Sequence, residues 1–276
     1  MSPSNPNPSI ALFGATGGTG LCILSQILTH DPLTHLSILC RTPSKLSTQY
    51  PVSTYPNLRL IQGDIYDAAA VKNTLLNAHT GRAVDIAISS LGMGMVRDGW
   101  WWRFSDPEIC FKGTKAVLDG LSELEGEGKG LEERRAGEER EKTKIIVLST
   151  TGISDKGRDI PIRMMPLYYG LLGTPHKDKK RMEEEIVRRG REEGRRWVVV
   201  RPSWLLDGAR EGRRVRVGWE VPVGEDVGRG EGKTAGDNKE IGVAIAREDV
   251  GKWVFEEGVR DGGKREWEGR FVSLTY

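Results

Sequence analysis

At 276 residues the chain has room for one large domain or one and a half, at about 100 to 200 residues per domain, and enough length to bury a sizeable core. Its 41 lysines and arginines against 39 acidic residues leave no overall field to attract nucleic acid or an anionic membrane, so any basic site is local. Three cysteines without CxxC spacing (Cys22, Cys40 and Cys110) exclude a disulfide framework or a zinc site, and no run of about 18 apolar residues marks a spanning helix.

Residues 1–8 read as a loose polar arm, with neither the basic start nor the apolar stretch of a secretory signal, and a reducing, cytoplasmic setting is expected. The apolar run 10–13 predicts a first strand, and 21–28 a helix entered through glycines. Residues 36–40 form a second strand and 58–61 a third, ending at Gly63-Asp64. A helix over 68–78, a strand over 84–88 and a helix over 111–124 follow. A charged stretch, 123–142, reads as a solvated insertion before the fifth strand at 145–148. Residues 182–195 resemble an exposed helix, 197–200 a sixth strand, 248–257 a late helix and 270–274 a final strand. Residues 208–242, rich in Gly, Arg and Glu, read as an irregular cap. Short apolar strands alternating with helices imply an α/β fold of Rossmann type. It has a doubly wound, mainly parallel sheet with helices on both faces, in one domain over 9–276 with a small C-terminal substrate cap.

The segment Gly14-Ala15-Thr16-Gly17-Gly18-Thr19-Gly20 stands between the first strand and first helix. A pyrophosphate needs backbone N–H groups at close range and the positive end of a helix dipole, and larger side chains obstruct that approach. The GxxGxxG spacing therefore points to a dinucleotide, although a tight turn alone also uses such glycines. Ligands of a parallel sheet sit beyond the strands' carboxyl ends. That rule adds Asp64, Ile65, Ser89, Ser90, Leu91, Ser149 and Thr150 to the cofactor-binding set. Arg41 follows the second strand, about 20 positions after Gly20, where an acidic residue would read the ribose of NAD and arginine accommodates the 2′-phosphate of NADP. With Ser44 and Lys45 close behind and no carboxylate nearby, the expected cofactor is NADPH. Asp64 can hold the adenine amino group or simply cap its turn.

Taken together, GATGGTG, CRTPSK, GDI, STTGIS, HKDKKRMEEEI and RPSWL resemble those of an NmrA-like, atypical short-chain dehydrogenase/reductase, nearly end to end. The closing segments 247–251 and 272–276 are similar to those of small fungal members. The resemblance implies an NAD(P)-binding Rossmann fold. It leaves the reaction open among reductases, cofactor-sensing regulators without turnover, and cyclases or isomerases.

The Tyr-x-x-x-Lys pair of ordinary members is absent, since Leu172 and Gly173 stand four residues after Tyr168 and Tyr169. The resemblance places His176 and Lys179 where that pair's helix lies. Spacing of three and four residues puts the imidazole on one face with Lys179 and Lys180. His176 is the candidate proton donor and Lys179 the candidate ribose contact; a solvated helix start with a capping or packing histidine is the plain alternative. Met93, Trp101, Thr151, Tyr168 and Tyr169 are candidate substrate contacts. Aromatic and thioether surfaces suit a flat hydrophobic ligand, while core packing or a dimer contact also explains the tryptophans. The expected function is NADPH-dependent reduction of a hydrophobic carbonyl, enone, imine or quinone-like molecule by a monomer or homodimer, and the family resemblance implies a role in specialised metabolism or detoxification.

Overall fold

A computed structural model describes residues 8–99, 101–132, 141–210, 212–224 and 238–276. Among the described residues the central sheet has eight strands: β1 (Ile10–Phe13), β2 (Leu36–Cys40), β3 (Leu58–Gln62), β4 (Ile86–Ser89), β5 (Lys144–Leu148), β6 (Trp197–Pro202), β7 (Arg216–Glu220) and β8 (Arg270–Thr275). Their spatial order is β7-β8-β6-β5-β4-β1-β2-β3, and only the β7–β8 pairing is antiparallel. The expected doubly wound, mainly parallel sheet is what the chain forms.

Burial on both faces explains why these strands read as unbroken apolar runs. Ile10 and Leu12 of β1 face one core with Ile23, Leu24 and Ile27 of helix α1 (Gly18–His30). Ala11 and Phe13, one residue out of phase, face a second core. That core takes Val71 and Leu75 of helix α3 (Ala68–Leu75), which follows the single-turn helix α2 (Ser44–Ser47), and Val117, Leu118 and Leu121 of helix α4 (Ile109–Glu132). Each such Leu, Ile or Val contributes roughly 1.5–3 kcal/mol by leaving water. Asp67 begins α3 by accepting hydrogen bonds from the Ala69 and Ala70 amides, which satisfies two of the helix's open donors.

Helix α5 (Met165–Leu171) leads directly into helix α6 (Gly173–Glu193), and helix α7 (Arg247–Trp253) packs beside α1. Gly251 permits the close approach, because a Cβ there would stand 2.8 Å from Cys22 Cβ. The registers 18 to 247 and 22 to 251 make α1 and α7 parallel, so their amino ends lie together at one edge of the sheet.

Several expectations change. The segment expected as an exposed helix over 182–195 is the second half of α6, whose Met182, Glu183 and Ile186 are buried. In the charged stretch 123–142, α4 continues to Glu132, and Glu125 forms an ion pair with Arg195, whose side chain is almost fully buried. Residues 133–140 lie outside the described residues. The irregular cap expected over 208–242 instead supplies the edge strand β7, bound to β8 over five residue pairs; 225–237 are not described. Helix α3 stops at Leu75, because residues 76–77 pair with 82–83 as a small ribbon. Residues 95–98 and 101–104, for which no element was expected, pair as two short antiparallel strands.

Candidate functional site

At the carboxyl edge of the sheet, Phe13 lies beside Leu39 of β2 on one side and Ser89 of β4 on the other. The chain then turns at Gly14, whose φ of +84° favours glycine. A Cβ on Gly14 would stand 2.6 Å from Ser90 O, and one on Gly20 2.2 Å from Gly14 O. The Gly17 amide closes the turn on Gly14 O at 3.1 Å, and Thr16, Gly17 and Gly18 are exposed ahead of α1 while Thr19 is buried. The turn is thus a shallow cradle of bare backbone at a helix amino terminus, next to Ser90 and Leu91.

The cradle has a neighbour that the sequence reading did not assign. The Arg247 side chain crosses Gly18, so that a Cβ on Gly18 would stand 2.7 Å from its Cδ and 2.9 Å from its Nε. Its guanidinium forms an ion pair with the exposed Asp207 at 2.5 Å. A cation is therefore held at the amino end of α1, where anions bind. Arg247 stood in the sequence only as part of a resembling segment, and nothing local tied it to residue 18.

Arg41 and Ser44 stand exposed just past β2, and Arg41 makes no ion pair among the described residues. The Asp64 carboxylate accepts from the Tyr66 amide at 3.1 Å, the turn-capping role, and Ile65 is buried close to Leu91 around Gly113.

The other half of the site lies at the end of β5. Gly152 has φ +93°, and a Cβ there would touch the rings of both Tyr168 (2.8 Å) and His176 (3.0 Å). Those rings lie 5.4 Å apart between centroids. Both residues are buried. Burial, reinforced by the charge of Lys179, lowers the His176 pKa to about 4. Burial raises that of the Tyr168 phenol, with the nearby Thr151 hydroxyl partly offsetting it. Lys179 donates to Leu148 O at 2.8 Å, and as an ammonium it has further protons to offer.

Among the described residues two buried polar atoms near the ends of β4 and β5, Ser89 Oγ and His176 Nε2, have no hydrogen-bond partner, while the Thr151 hydroxyl faces the Tyr168 phenol. Such atoms call for a partner that the protein itself does not supply. Together with the cradle that a Cβ would fill, they fit a dinucleotide lying along this edge.

The structure therefore brings together the glycine turn, Ser89, Ser90, Leu91, Thr151, Tyr168, His176 and Lys179. Thr150 lies half-buried between them. Ser149 is turned away, since its hydroxyl donates to Glu183 at 2.6 Å in a buried network. Met93 is half-buried ahead of the 95–104 hairpin. Trp100 and the side chains of Trp101 and Tyr169 lie outside what is described. Trp204, missed by the sequence reading, is partly exposed, and its ring centroid lies 6.4 Å from that of Tyr168. Among the described residues no helix is long and apolar enough to cross a membrane, and no His/Cys/Asp/Glu group is arranged to hold a metal.

Comparison with known proteins agrees with this geometry. An NAD(P)H-binding family model matches residues 14–257. The chain is 34% identical to "Reductase pytE" of Aspergillus terreus, over 99% of this chain and 100% of that one. It is 33% identical to "Oxidase pynE" of Aspergillus niger, over 97% and 98%. Among solved structures, a short-chain dehydrogenase/reductase of Veillonella parvula in complex with NADP shares the fold at a TM-score of 0.62 and 13% identity, over 98% of this chain and 94% of that one. The chain belongs to the NAD(P)H-binding family, on the Rossmann-type fold, in keeping with the NmrA-like resemblance of its motifs.

Proposed function

We propose that the protein is an NADPH-dependent oxidoreductase that reduces a hydrophobic carbonyl, enone, imine or quinone-like compound. The observation that carries this reading is the bare-backbone cradle at the amino end of α1, with an unpaired Arg41 standing past the neighbouring strand. Redox chemistry is favoured by the two fungal relatives, one called a reductase and the other an oxidase.

In this reading the cradle amides and Arg247 hold the pyrophosphate, Arg41 and Ser44 the 2′-phosphate, and Lys179 a ribose hydroxyl. The reduced nicotinamide, when bound, supplies a hydride. The side chains at the end of β5 then position the acceptor. With His176 neutral at physiological pH and the Tyr168 phenol made a weaker acid by burial, neither is a strong proton donor. That environment suits an acceptor already polarised, such as an enone, iminium or quinone, which asks less of the protein than a plain ketone.

The deciding experiment titrates the pure protein with NADPH and NADH, then follows nicotinamide absorbance with a panel of quinones, enones, imines and flavins. Binding with no turnover across the panel would sink the reductase reading in favour of a cofactor sensor. Arg41→Glu should weaken NADPH by about tenfold to a hundredfold, the value of one charge-assisted contact, and NADH far less. Equal losses for both would remove Arg41 from the 2′-phosphate.

A pH prediction follows from His176. Its folded pKa, about 4, lies below the unfolded value near 6.5, so the unfolded chain binds this proton first. Stability associated with His176 is therefore intact above pH 6.5 and falls as the pH drops from there toward 4. Over pH 6 to 8 the rate of any turnover should show no histidine ionisation. A rate limb near pH 6.5 that vanishes in His176→Ala would overturn the neutral assignment.

A further inference from the structure

Beside the dinucleotide site lies a pocket of about 780 Å³, within the range of small-molecule sites. Five arginines line it: Arg158, Arg163, Arg210, Arg213 and Arg216. No described lining residue has an acidic side chain. Its remaining wall is apolar, including Ile162, Leu206, Val243 and the Tyr276 ring. Ile162 is 68% exposed at this wall, a large apolar side chain left in water.

The arginines differ in their commitments. Arg216 pairs with Glu240 at 2.6 Å and donates to Tyr276 O, and Arg158 donates to Ile160 O. Arg163, Arg210 and Arg213 have no carboxylate partner among the described residues. Arg213 lies over the Tyr276 ring at 5.7 Å, and its amide donates to Arg210 O at 3.1 Å. Cations converging on one cavity repel one another, and an anion relieves that repulsion. Guanidinium forks match a carboxylate or a phosphate bidentately, and the apolar wall favours the carboxylate of a molecule with a hydrophobic body.

The pocket adjoins the candidate reaction site. Residues Trp204–Leu206 pair with Ala244–Ala246 as a two-stranded ribbon. Alternation puts Trp204 and Leu206 on one face, with Leu205 packed on the core behind. Leu206 lines the pocket, while Trp204 stands beside Tyr168, the neighbour of His176. One ribbon face thus runs from the arginines to the end of β5.

We propose that this pocket binds the acidic end of the substrate, so that the molecule reduced is a hydrophobic organic acid with its carboxylate among Arg163, Arg210 and Arg213. This deepens the reductase reading and rests on it for the word substrate; the binding site itself stands on the pocket alone. The apolar wall takes the body of the ligand, and the arginines fix which end points away from the cofactor.

The test is calorimetric titration of the protein, with NADPH present, using 2-naphthoate and its uncharged isostere 2-naphthamide as probes. Naphthoate should bind at least tenfold more tightly, and added salt should narrow the gap. The double variant Arg210→Glu/Arg213→Glu should lose at least tenfold in naphthoate affinity, with naphthamide and NADPH affinities unchanged. Both side chains are exposed, and an unaltered melting temperature confirms that the variant folds. Equal binding of the two probes, or a folded double variant that keeps naphthoate, would overturn the proposal. Repeating the titration without NADPH separates the two readings: arginine-dependent naphthoate binding by a protein that does not bind NADPH would leave the pocket and remove the reductase.

Discussion

Gly20→Ala should abolish measurable NADPH binding and lower the melting temperature, against the usual effect of that exchange in a helix. Alanine normally stabilises a helix relative to glycine by roughly 0.5–1 kcal/mol. Here the added Cβ would lie 2.2 Å from Gly14 O and 2.8 Å from Gly14 C. Both are backbone atoms and cannot rotate aside as a side-chain end can. Overpacking of this kind costs about 1–3 kcal/mol, which exceeds the propensity gain. It also falls on the turn proposed to hold the phosphates, so relief comes only by moving the cradle. Gly126→Ala in α4 is the internal control, because nothing lies within 4 Å of a Cβ there. That variant should be neutral or slightly stabilised and bind NADPH normally. Wild-type NADPH affinity in Gly20→Ala would show that the cradle does not hold the cofactor.

Glu183→Ala should be the most destabilising of the single charge removals. The Arg201 guanidinium is buried against Glu183, with Nε to Oε1 at 2.9 Å and Nη2 to Oε2 at 2.7 Å, and it also pairs with Glu220. Its plane stands 4.1 Å over the Phe271 ring. Removing Glu183 takes away two of the buried guanidinium's charge-assisted hydrogen bonds, leaves Glu220, which also pairs with Lys239, as its remaining carboxylate, and frees the Ser149 hydroxyl. Breaking a buried pair from one side costs about 3–5 kcal/mol, which lowers the melting temperature of a chain this size by roughly 10 °C. Glu192→Ala, which breaks the exposed pair with Arg188, is the contrast, at roughly 0.5 kcal/mol or less. Thermal unfolding monitored by circular dichroism distinguishes them, and similar melting temperatures for the two variants would refute the network's role. Because Glu183 joins α6 to the end of β5, the loss should also loosen the segment carrying Thr151 and the helix face carrying Lys179.

Much of the frame was legible because its signals are local. Unbroken apolar runs mark strands buried on both faces, and β1, β2, β5 and β6 all lie where those runs stand. The glycine turn was legible for the same reason, since a strand, a bare-backbone turn and a helix start occupy contiguous residues. Helix ends were less so: α3 stops at Leu75 because the following residues pair with a strand five positions on, and periodicity alone does not register that competition. The sequence likewise read residues 123–132 as too polar to pack. It missed the partner of Glu125, since the buried Arg195 lies 70 positions away.

By itself, then, the sequence determined the strand and helix alternation, the parallel sheet and a bare-backbone glycine turn at its carboxyl edge. Each follows from the pleat period, the helix period or the steric freedom of glycine, all of which act over a few residues. Only the tertiary structure decided that Arg247 crosses Gly18, that residues 216–220 close the sheet edge, that Tyr168 and His176 pack on Gly152, and that five arginines share one pocket. These pairs are far apart along the chain, and what joins them is the burial of helix and strand faces against one another, which no short window of residues contains.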